Sequence, residues 1–86
     1  MYEYLWTDAT LDKLTDIYVA AGVPDRERMA TGVQAFNVRL AADPLSVGES
    51  RVGGYRIGFP TLLRVYFRVD VATRKVWVVD VKRFGH

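Results

Sequence analysis

Residues 43–70 read DPLSVGESRVGGYRIGFPTLLRVYFRVD, and this stretch decides the fold. Its first half is rich in glycine and polar residues, a composition typical of a loop or an irregular first strand. Residues 55–59 and 63–70 then alternate in polarity, which predicts two β-strands joined by a turn at Pro60. The stretch also carries four arginines, Arg51, Arg56, Arg64 and Arg68. We therefore expect a small sheet with a basic exposed face.

Strands are predicted on both sides of this stretch. Residues 71–75 predict a hairpin turn, and residues 76–81 (VWVVDV) are apolar enough for a central strand that is buried on both faces except at Asp80. Loose alternation and three aromatic side chains in residues 1–6 predict a short N-terminal strand.

The first of two predicted helices follows the N-terminal strand. Thr7 is a suitable N-cap because its hydroxyl can accept a hydrogen bond from the first turn. Apolar residues recur after it at helical spacing, at Leu11, Leu14, Ile17, Tyr18 and Ala21. Gly22 is expected to end this helix, and Pro24 to block its continuation.

The second helix is expected to be capped by Asp25. Its apolar stripe consists of Met29, Val33, Phe36 and Leu40. The helix should end near Ala42, because the residue before Pro44 is pushed out of the α region. The short link between the two helices favours an antiparallel hairpin.

The predicted order β-α-α-β-β-β defines an α+β fold, in which a helix hairpin packs on one face of a small antiparallel sheet. Residues 1–86 are expected to form a single domain. The period of two in a strand predicts that the free face carries Arg56, Arg64, Tyr66 and Arg68. Arg83 falls on the helix side with Val79 and Val81 unless a bulge intervenes.

Composition limits both the expected cellular location of the protein and the kinds of site that it can form. Half of the residues are hydrophobic, cysteine is absent, and the one histidine is His86. Disulfides and thiolate metal sites are thereby excluded, and a single histidine disfavours a transition-metal centre. We expect neither a metal nor a cofactor. No secretion signal or run of 18 apolar residues is visible, so we expect a soluble cytoplasmic protein that is not bound to a membrane.

Charge is segregated along the chain. Residues 1–50 hold four Lys and Arg against eight Asp and Glu, a balance of −4, whereas residues 51–86 hold eight against two, a balance of +6. A positive region of this kind suits nucleic acid or an acidic protein partner. The alternative is that arginine merely solvates strand positions that face water. Charge alone supports the two interpretations equally.

The basic residues are the remaining candidates for a functional site once common nucleotide-binding loops and serine–histidine pairs are excluded. The sequence contains neither a GxxxxGK[ST] loop nor a GxGxxG loop, and Ser46 and Ser50 have no nearby histidine. Arginine binds phosphate well because its planar fork donates two hydrogen bonds and stays charged. Several arginines in one groove would bind an RNA backbone and stabilise a pentacovalent phosphorane, and a neighbouring tyrosine would stack a base. In the alternative, these side chains only solvate the open face and pair with one another.

Short motifs recur in a fixed order over nearly the whole chain. A proline follows the second helix, a Gly-rich bend leads into Tyr-Arg, an Arg-aliphatic-x-aromatic-x-aliphatic-Asp strand follows, and a basic cluster ends the last strand. These motifs lie at Pro44, Gly53-Gly54, Tyr55-Arg56, Arg64-Val65, Phe67, Val69-Asp70 and Lys82-Arg83. In order and spacing they resemble the RelE/ParE superfamily of bacterial toxins.

The resemblance implies the toxin of a type II toxin–antitoxin pair, which a cognate antitoxin neutralises. RelE-like members cut mRNA in the ribosomal A site without metal, as the 2′-OH attacks the adjacent phosphate and leaves a 2′,3′-cyclic phosphate. ParE-like members share the fold but poison DNA gyrase. The alternatives for this chain are therefore a ribosome-dependent mRNA endonuclease, a gyrase-binding toxin without catalysis, and a toxin-fold protein that has lost its activity.

Site residues follow from the same resemblance. Arg64 matches the arginine that contacts the scissile phosphate, and Arg83 falls in the terminal basic cluster, so both are predicted to be catalytic. The resemblance does not place His86, which is predicted to be catalytic from its chemistry alone: it is the best general acid available, since the unperturbed pKa of histidine is about 6.5. The alternative is that this last residue is frayed and idle. RNA or phosphate binding is predicted for Arg51, Arg56, Tyr66, Arg68 and Lys82.

The sequence departs from the family pattern at three positions. Gly58 replaces a second basic residue of the Tyr-Arg strand. Leu63 stands where RelE-like enzymes have a tyrosine before the strand arginine, and Phe84 is the only aromatic residue after the last strand.

Overall fold

The computed structural model describes residues 1–85, which form two helices and five strands. The elements follow in the order β1 (Glu3–Trp6), α1 (Asp8–Ala20), α2 (Val23–Ala42), β2 (Glu49–Ser50), β3 (Tyr55–Gly58), β4 (Leu63–Asp70) and β5 (Lys75–Arg83). Single 3-10 turns at Pro44–Ser46 and Val52–Gly54 flank β2. The predicted α+β fold, with two helices and a small sheet, is confirmed.

The sheet is mostly antiparallel, with the strand order β1-β5-β4-β3-β2. The pairs β2–β3, β3–β4 and β4–β5 are antiparallel, whereas β1 runs parallel to β5. A parallel pair needs a long crossover connection, and the helix hairpin contributes to that connection. The sequence did not indicate this one parallel pair, which brings the first strand beside the last.

The start of α2 differs from the prediction. Gly22 is the N-cap, in extended conformation, and Pro24 lies inside the first turn rather than outside the helix. A proline fits there because the first amides of a helix have no acceptor within it. Asp25 is therefore a first-turn residue and not the cap, which leaves its carboxylate available to other elements.

The remaining helix ends follow local rules. The side-chain oxygen of Thr7 accepts a hydrogen bond from the amide of Thr10 at 3.2 Å, which confirms the predicted cap of α1. Arg26 of α2 donates to the carbonyls of Tyr18 and Ala21 at 2.9 and 3.2 Å. These two bonds satisfy the C-terminal end of α1 and fasten the hairpin.

The core lies between the helices and one face of the sheet. Every second residue of β4 is buried there, namely Leu63, Val65, Phe67 and Val69. The predicted stripe of α2 meets them through Met29, Phe36 and Leu40, all buried. The rings of Phe36 and Phe67 pack edge to face with their centroids 5.7 Å apart. This packing gives the sheet one covered face.

A β-bulge changes the phase of β5. Tyr66 pairs with Asp80 and Phe67 pairs with Val78, so Val79 is an extra residue. The prediction that this strand is buried on both faces was wrong at Trp77 and Val79, which are 38% and 37% exposed. The reason is that both helices contribute their core residues to the face on which Val76 and Val78 are buried, and not to the other.

Candidate functional site

The uncovered face of the sheet is here called the open face. β4 presents Arg64, Tyr66, Arg68 and Asp70 on it, because these residues alternate with the buried ones. Their partners in β5 are Lys82, Asp80, Trp77 and Lys75. The alternation predicted the side on which Arg64, Tyr66 and Arg68 lie, whereas their roles stay predictions.

Arg64 and Lys82 are direct cross-strand partners on the open face. Neither of them takes part in the ion pairs found among residues 1–85. Two like charges placed opposite each other destabilise a sheet and raise the local positive potential. The pair is therefore suited to an anion, and phosphate accepts from both types of side chain.

Arg68 and Tyr66 extend this face along β4. Arg68 is exposed and lies between Tyr55 and Trp77 in the register of the neighbouring strands. The ring of Tyr66 packs against that of Tyr55 with centroids 5.2 Å apart. Cations and aromatic rings thus alternate across the open face. Neither Tyr55 nor Trp77 was predicted to be a site residue. The signal that could have identified them was the expectation that one face of the sheet is free.

Arg56 lies on the face opposite to the predicted one. It is the cross-strand partner of Phe67, which is fully buried on the covered face. Its Nε donates to the carbonyl of Val47 at 2.8 Å, and its Nη2 donates to the carbonyl of Gly48 at 3.1 Å. The guanidinium therefore fastens the loop before β2 to β3. The placement of Arg56 with Arg64 on the open face was wrong.

Gly58 explains why β3 reverses the expected polarity. A Cβ at this position would lie 2.5 Å from Cε1 of Phe36. The ring from α2 occupies the space that a side chain would need, so a basic residue has no room there. Glycine inside a strand pattern is the signal of such a close approach. Tyr55 and Ile57 consequently turn their side chains to the open face.

Arg83 is held on the covered face, as the alternation predicted. It pairs across the strands with the buried Leu63, and its Nη2 donates to Oδ2 of Asp25 at 2.8 Å. Arg28 donates to the other oxygen of Asp25 at 3.3 Å. The predicted catalytic residues Arg64 and Arg83 therefore lie on opposite faces, and the structure does not bring them together. His86 lies outside the described residues.

Arg51 is the remaining predicted phosphate ligand. It lies beyond β2 at the edge of the sheet, where it donates to Oε2 of Glu49 at 3.0 Å and to the carbonyl of Ser50 at 2.9 Å. This arginine is exposed but already has a carboxylate partner, unlike Arg64 and Lys82.

Two carboxylates of the open face are held in their charged form. Hydrogen bonding to Thr73 lowers the pKa of Asp70, and a hydrogen bond from Lys13 of α1 lowers the pKa of Asp80. Both groups are therefore acceptors near neutral pH and are poorly suited to donate a proton.

A cluster of metal-ligating side chains and a membrane-spanning helix are both absent from residues 1–85. Among residues 1–85, no three His, Cys, Asp or Glu side chains lie close enough together to hold a metal ion. Neither helix of that range has the length and apolar composition needed to cross a bilayer.

Comparison with solved structures shows which known proteins share this fold. A chain of the toxin–antitoxin complex RelBE2 from Mycobacterium tuberculosis matches with a TM-score of 0.72 and 21% identity, covering 95% of this chain and 96% of that one. A chain of the chromosomal ParDE system from P. aeruginosa matches with a TM-score of 0.71 and 19% identity, over 99% and 98% of the two chains. The isolated E. coli RelE toxin matches with a TM-score of 0.68 and 13% identity, over 100% and 87%.

The chain therefore has the fold of the RelE and ParE toxins. No protein-family model and no curated protein matches its sequence. At 13–21% identity, the likeness to the solved structures concerns the fold.

Proposed function

We propose that this protein is the toxin of a type II toxin–antitoxin pair and that it cuts mRNA on the ribosome without a metal ion. The observation that supports this function is the pair Arg64 and Lys82, adjacent on the open face and outside every ion pair found in residues 1–85. A toxin fold with two unpartnered cations on an uncovered sheet face suits a polyanionic substrate.

In the proposed reaction, Arg64 binds the scissile phosphate. Its guanidinium donates two hydrogen bonds to the non-bridging oxygens, and Lys82 adds a second positive charge. As the 2′-OH attacks the phosphorus and gives its proton to solvent water, negative charge grows on these oxygens, and cations already in place stabilise the phosphorane. The 5′ oxygen then leaves with a proton, which His86 is proposed to donate. Tyr66 and Arg68 would hold the neighbouring nucleotide along β4.

The two arginines of the covered face have other roles in this proposal. Arg56 is a positioning residue that holds the loop before β2 and does not touch RNA. Arg83 contributes to catalysis only if it leaves Asp25, and an exposed pair of this kind is weak enough to exchange partners. Arg51 lies at the far edge and would contact the RNA backbone outside the reaction centre.

The experiment that tests this function uses translating ribosomes. The purified protein is added to them, and mRNA 5′ ends are mapped with and without Arg64→Ala. Removal of one oxyanion ligand should slow cleavage by about 10²- to 10³-fold. Arg74→Ala is the matched control, because Arg74 is an exposed arginine in the turn that follows the other end of β4. Intact mRNA, or cleavage unchanged by Arg64→Ala, contradicts the proposal.

The proposed partner that neutralises the protein is its cognate antitoxin. Solved structures that share this fold include toxin–antitoxin complexes, and the basic half of the chain suits a partner with an acidic segment. Expression of this protein alone should arrest growth, and co-expression of a short neighbouring reading frame should relieve the arrest. Absence of a growth defect favours a toxin fold that has lost its activity.

A second candidate is a ParE-like toxin that binds DNA gyrase without catalysis. The separation of Arg64 and Arg83 onto opposite faces favours it, because an RNA-cleaving site would be expected to unite them. The ParDE chain also matches as well as the RelE toxins do, with a TM-score of 0.71. Inhibition of gyrase supercoiling together with intact mRNA would select this candidate.

A further inference from the structure

A narrow cleft lies between one side of α2 and the two segments that flank β3. These segments are the loop at Val47 and Gly48 and the turn at residues 59–61. The cleft has a volume of about 210 Å³. Within residues 1–85, none of the side chains predicted to be catalytic or to bind RNA lines it. It is therefore separate from the site proposed above and is here called the α2 cleft.

The buried part of the lining of the α2 cleft is apolar. Phe36 and Val47 are almost completely buried, and so is Pro60. Phe59 adds a half-exposed ring, which contacts the ring of Phe84 with the centroids 5.1 Å apart. An apolar group that enters the cleft would therefore leave water for contact with aromatic and aliphatic carbon.

Backbone contacts hold the walls of the α2 cleft in place. The two hydrogen bonds from Arg56 fix the carbonyls of Val47 and Gly48 at 2.8 and 3.1 Å. On the other side, a Cβ added to Gly32 of α2 would lie 2.9 Å from the Cβ and Oγ1 atoms of Thr61, so the helix and the turn already touch. Walls that are fixed in this way make the cleft pre-formed, as small-molecule sites commonly are.

Two exposed polar side chains also line the α2 cleft, Arg39 and Thr61. Arg39 belongs to none of the ion pairs found among residues 1–85. Its guanidinium can donate two parallel hydrogen bonds to a carboxylate, and the hydroxyl of Thr61 can donate a further one. The polar part of the lining thus complements a negative charge.

We propose that the α2 cleft binds a small organic carboxylate, with its ring or branched chain against the buried lining and its charge on Arg39. A cavity of about 150 Å³ holds one benzene molecule, so the volume of the cleft suits one ring together with a carboxylate. It is too small for a drug-sized ligand, which needs at least about 300 Å³. The inference is independent of RNA cleavage, because no lining residue is assigned to that reaction.

The test is a ¹H–¹⁵N NMR titration of the whole chain with benzoate as the probe. Benzoate should shift the amide signals of residues that line the cleft, namely Gly32, Ala35, Gly48 and Thr61, with a Kd of about 0.1–10 mM. Acetate, which has no ring, and benzyl alcohol, which has no charge, should each bind at least about 5-fold more weakly, because each lacks one of the two interactions.

Two variants separate the charge from the shape of the cleft. Arg39→Gln should weaken benzoate binding by about 5- to 20-fold, and Ala35→Leu should weaken it as much by filling the cleft. The matched controls are Arg74→Gln, an exposed arginine in the turn before β5, and Val38→Leu, an exposed position of α2 outside the lining. Neither should change the affinity. Thermal unfolding of each variant identifies any that fails to fold, and Arg39→Gln serves if Ala35→Leu does.

Three results would overturn the proposal. In the first, benzoate shifts the amides of Arg64 and Lys82 instead of those of the cleft, which would mean that it binds the cations of the open face. In the second, it binds the folded Arg39→Gln variant as tightly as the wild type. In the third, the dipeptide acetyl-Phe-Asp-amide occupies the cleft while benzoate does not, which would assign the cleft to a segment of a partner protein.

Discussion

The two faces of the sheet use the same type of side chain in different ways. On the covered face, Arg56 donates to two loop carbonyls and Arg83 binds the carboxylate of Asp25. On the open face, Arg64 and Lys82 stand opposite each other and belong to no ion pair found in residues 1–85. A motif that matches a family by its arginines therefore does not reveal which of them can receive a substrate.

This difference has an energetic consequence. A polar group near the core must have a hydrogen-bond partner, because leaving it unsatisfied costs more than the bond contributes. Arg56 is thus committed to the fold, whereas side chains of the open face can be exchanged at little cost to stability. Substitutions on the covered face should therefore affect mainly stability, and substitutions on the open face mainly binding.

The largest contrast is expected between neighbouring aromatic residues of β4. Phe67→Ala removes a fully buried ring that packs on Phe36 and should lower the free energy of unfolding by about 3–5 kcal/mol. Tyr66→Ala removes only a half-buried ring of the open face that packs on Tyr55, and it should cost about 1 kcal/mol. Urea unfolding of both variants checks this, and equal losses would contradict the assignment of the two faces.

A smaller loss is expected at the glycine of β3. Gly58→Ala places a methyl group 2.5 Å from the ring of Phe36 and should destabilise the fold by about 1–3 kcal/mol through overpacking. The double variant Phe36→Leu and Gly58→Ala should lose less than the two single variants together, because the smaller residue makes room. Additive losses in guanidinium unfolding would show that this contact is not the cause.

Arg56 and Arg64 should differ in their effects: the loss of Arg56 should lower stability, and the loss of Arg64 should lower RNA affinity. Arg56→Gln breaks both hydrogen bonds to the loop and should cost about 1–2 kcal/mol, with RNA affinity nearly unchanged. Arg64→Gln should change stability by less than about 0.5 kcal/mol and weaken RNA binding. Urea unfolding and fluorescence anisotropy with a labelled single-stranded RNA, measured on the same preparations, check both expected losses. Loss of RNA affinity in a fully folded Arg56→Gln variant would reinstate that residue as a ligand.

The smallest effect is expected at the ion pair between α1 and β5. The hydrogen bond from Lys13 lowers the pKa of Asp80 in the folded state. The pair therefore stabilises the fold above the unfolded pKa of about 3.9, and its contribution is lost as the pH falls through the lower, folded value. Because the two side chains are 55% and 34% exposed, screening limits the effect to about 0.2–1 kcal/mol.

Lys13→Met should therefore lower the free energy of unfolding at pH 7, and the loss should shrink as the pH falls through the lowered pKa of Asp80. High salt should reduce the difference at pH 7. A loss that does not shrink as the pH falls would mean that the aliphatic stem of Lys13 matters more than its charge.

Sequence patterns predicted the helices and strands more accurately than they predicted the junctions and irregularities between and within them. The limits of β4 and the buried stripe of α2 agree with the prediction because alternation and helical spacing are strong over eight or more residues. The start of α2 was misplaced by three residues, from the cap Gly22 to Asp25, since proline suits both the outside and the first turn of a helix. The bulge at Val79 gave no signal, because VWVV is equally apolar in either phase.

The chain by itself determined that β4 would present Arg64, Tyr66 and Arg68 together on one side, because successive side chains of a strand point to opposite faces. Only the tertiary structure decided which basic residues have no ion-pair partner among residues 1–85. That outcome depends on α2, which places Phe36 against Gly58 and Asp25 against Arg83, and such contacts join residues 22 and 58 positions apart. A local pattern contains no information on contacts over that distance.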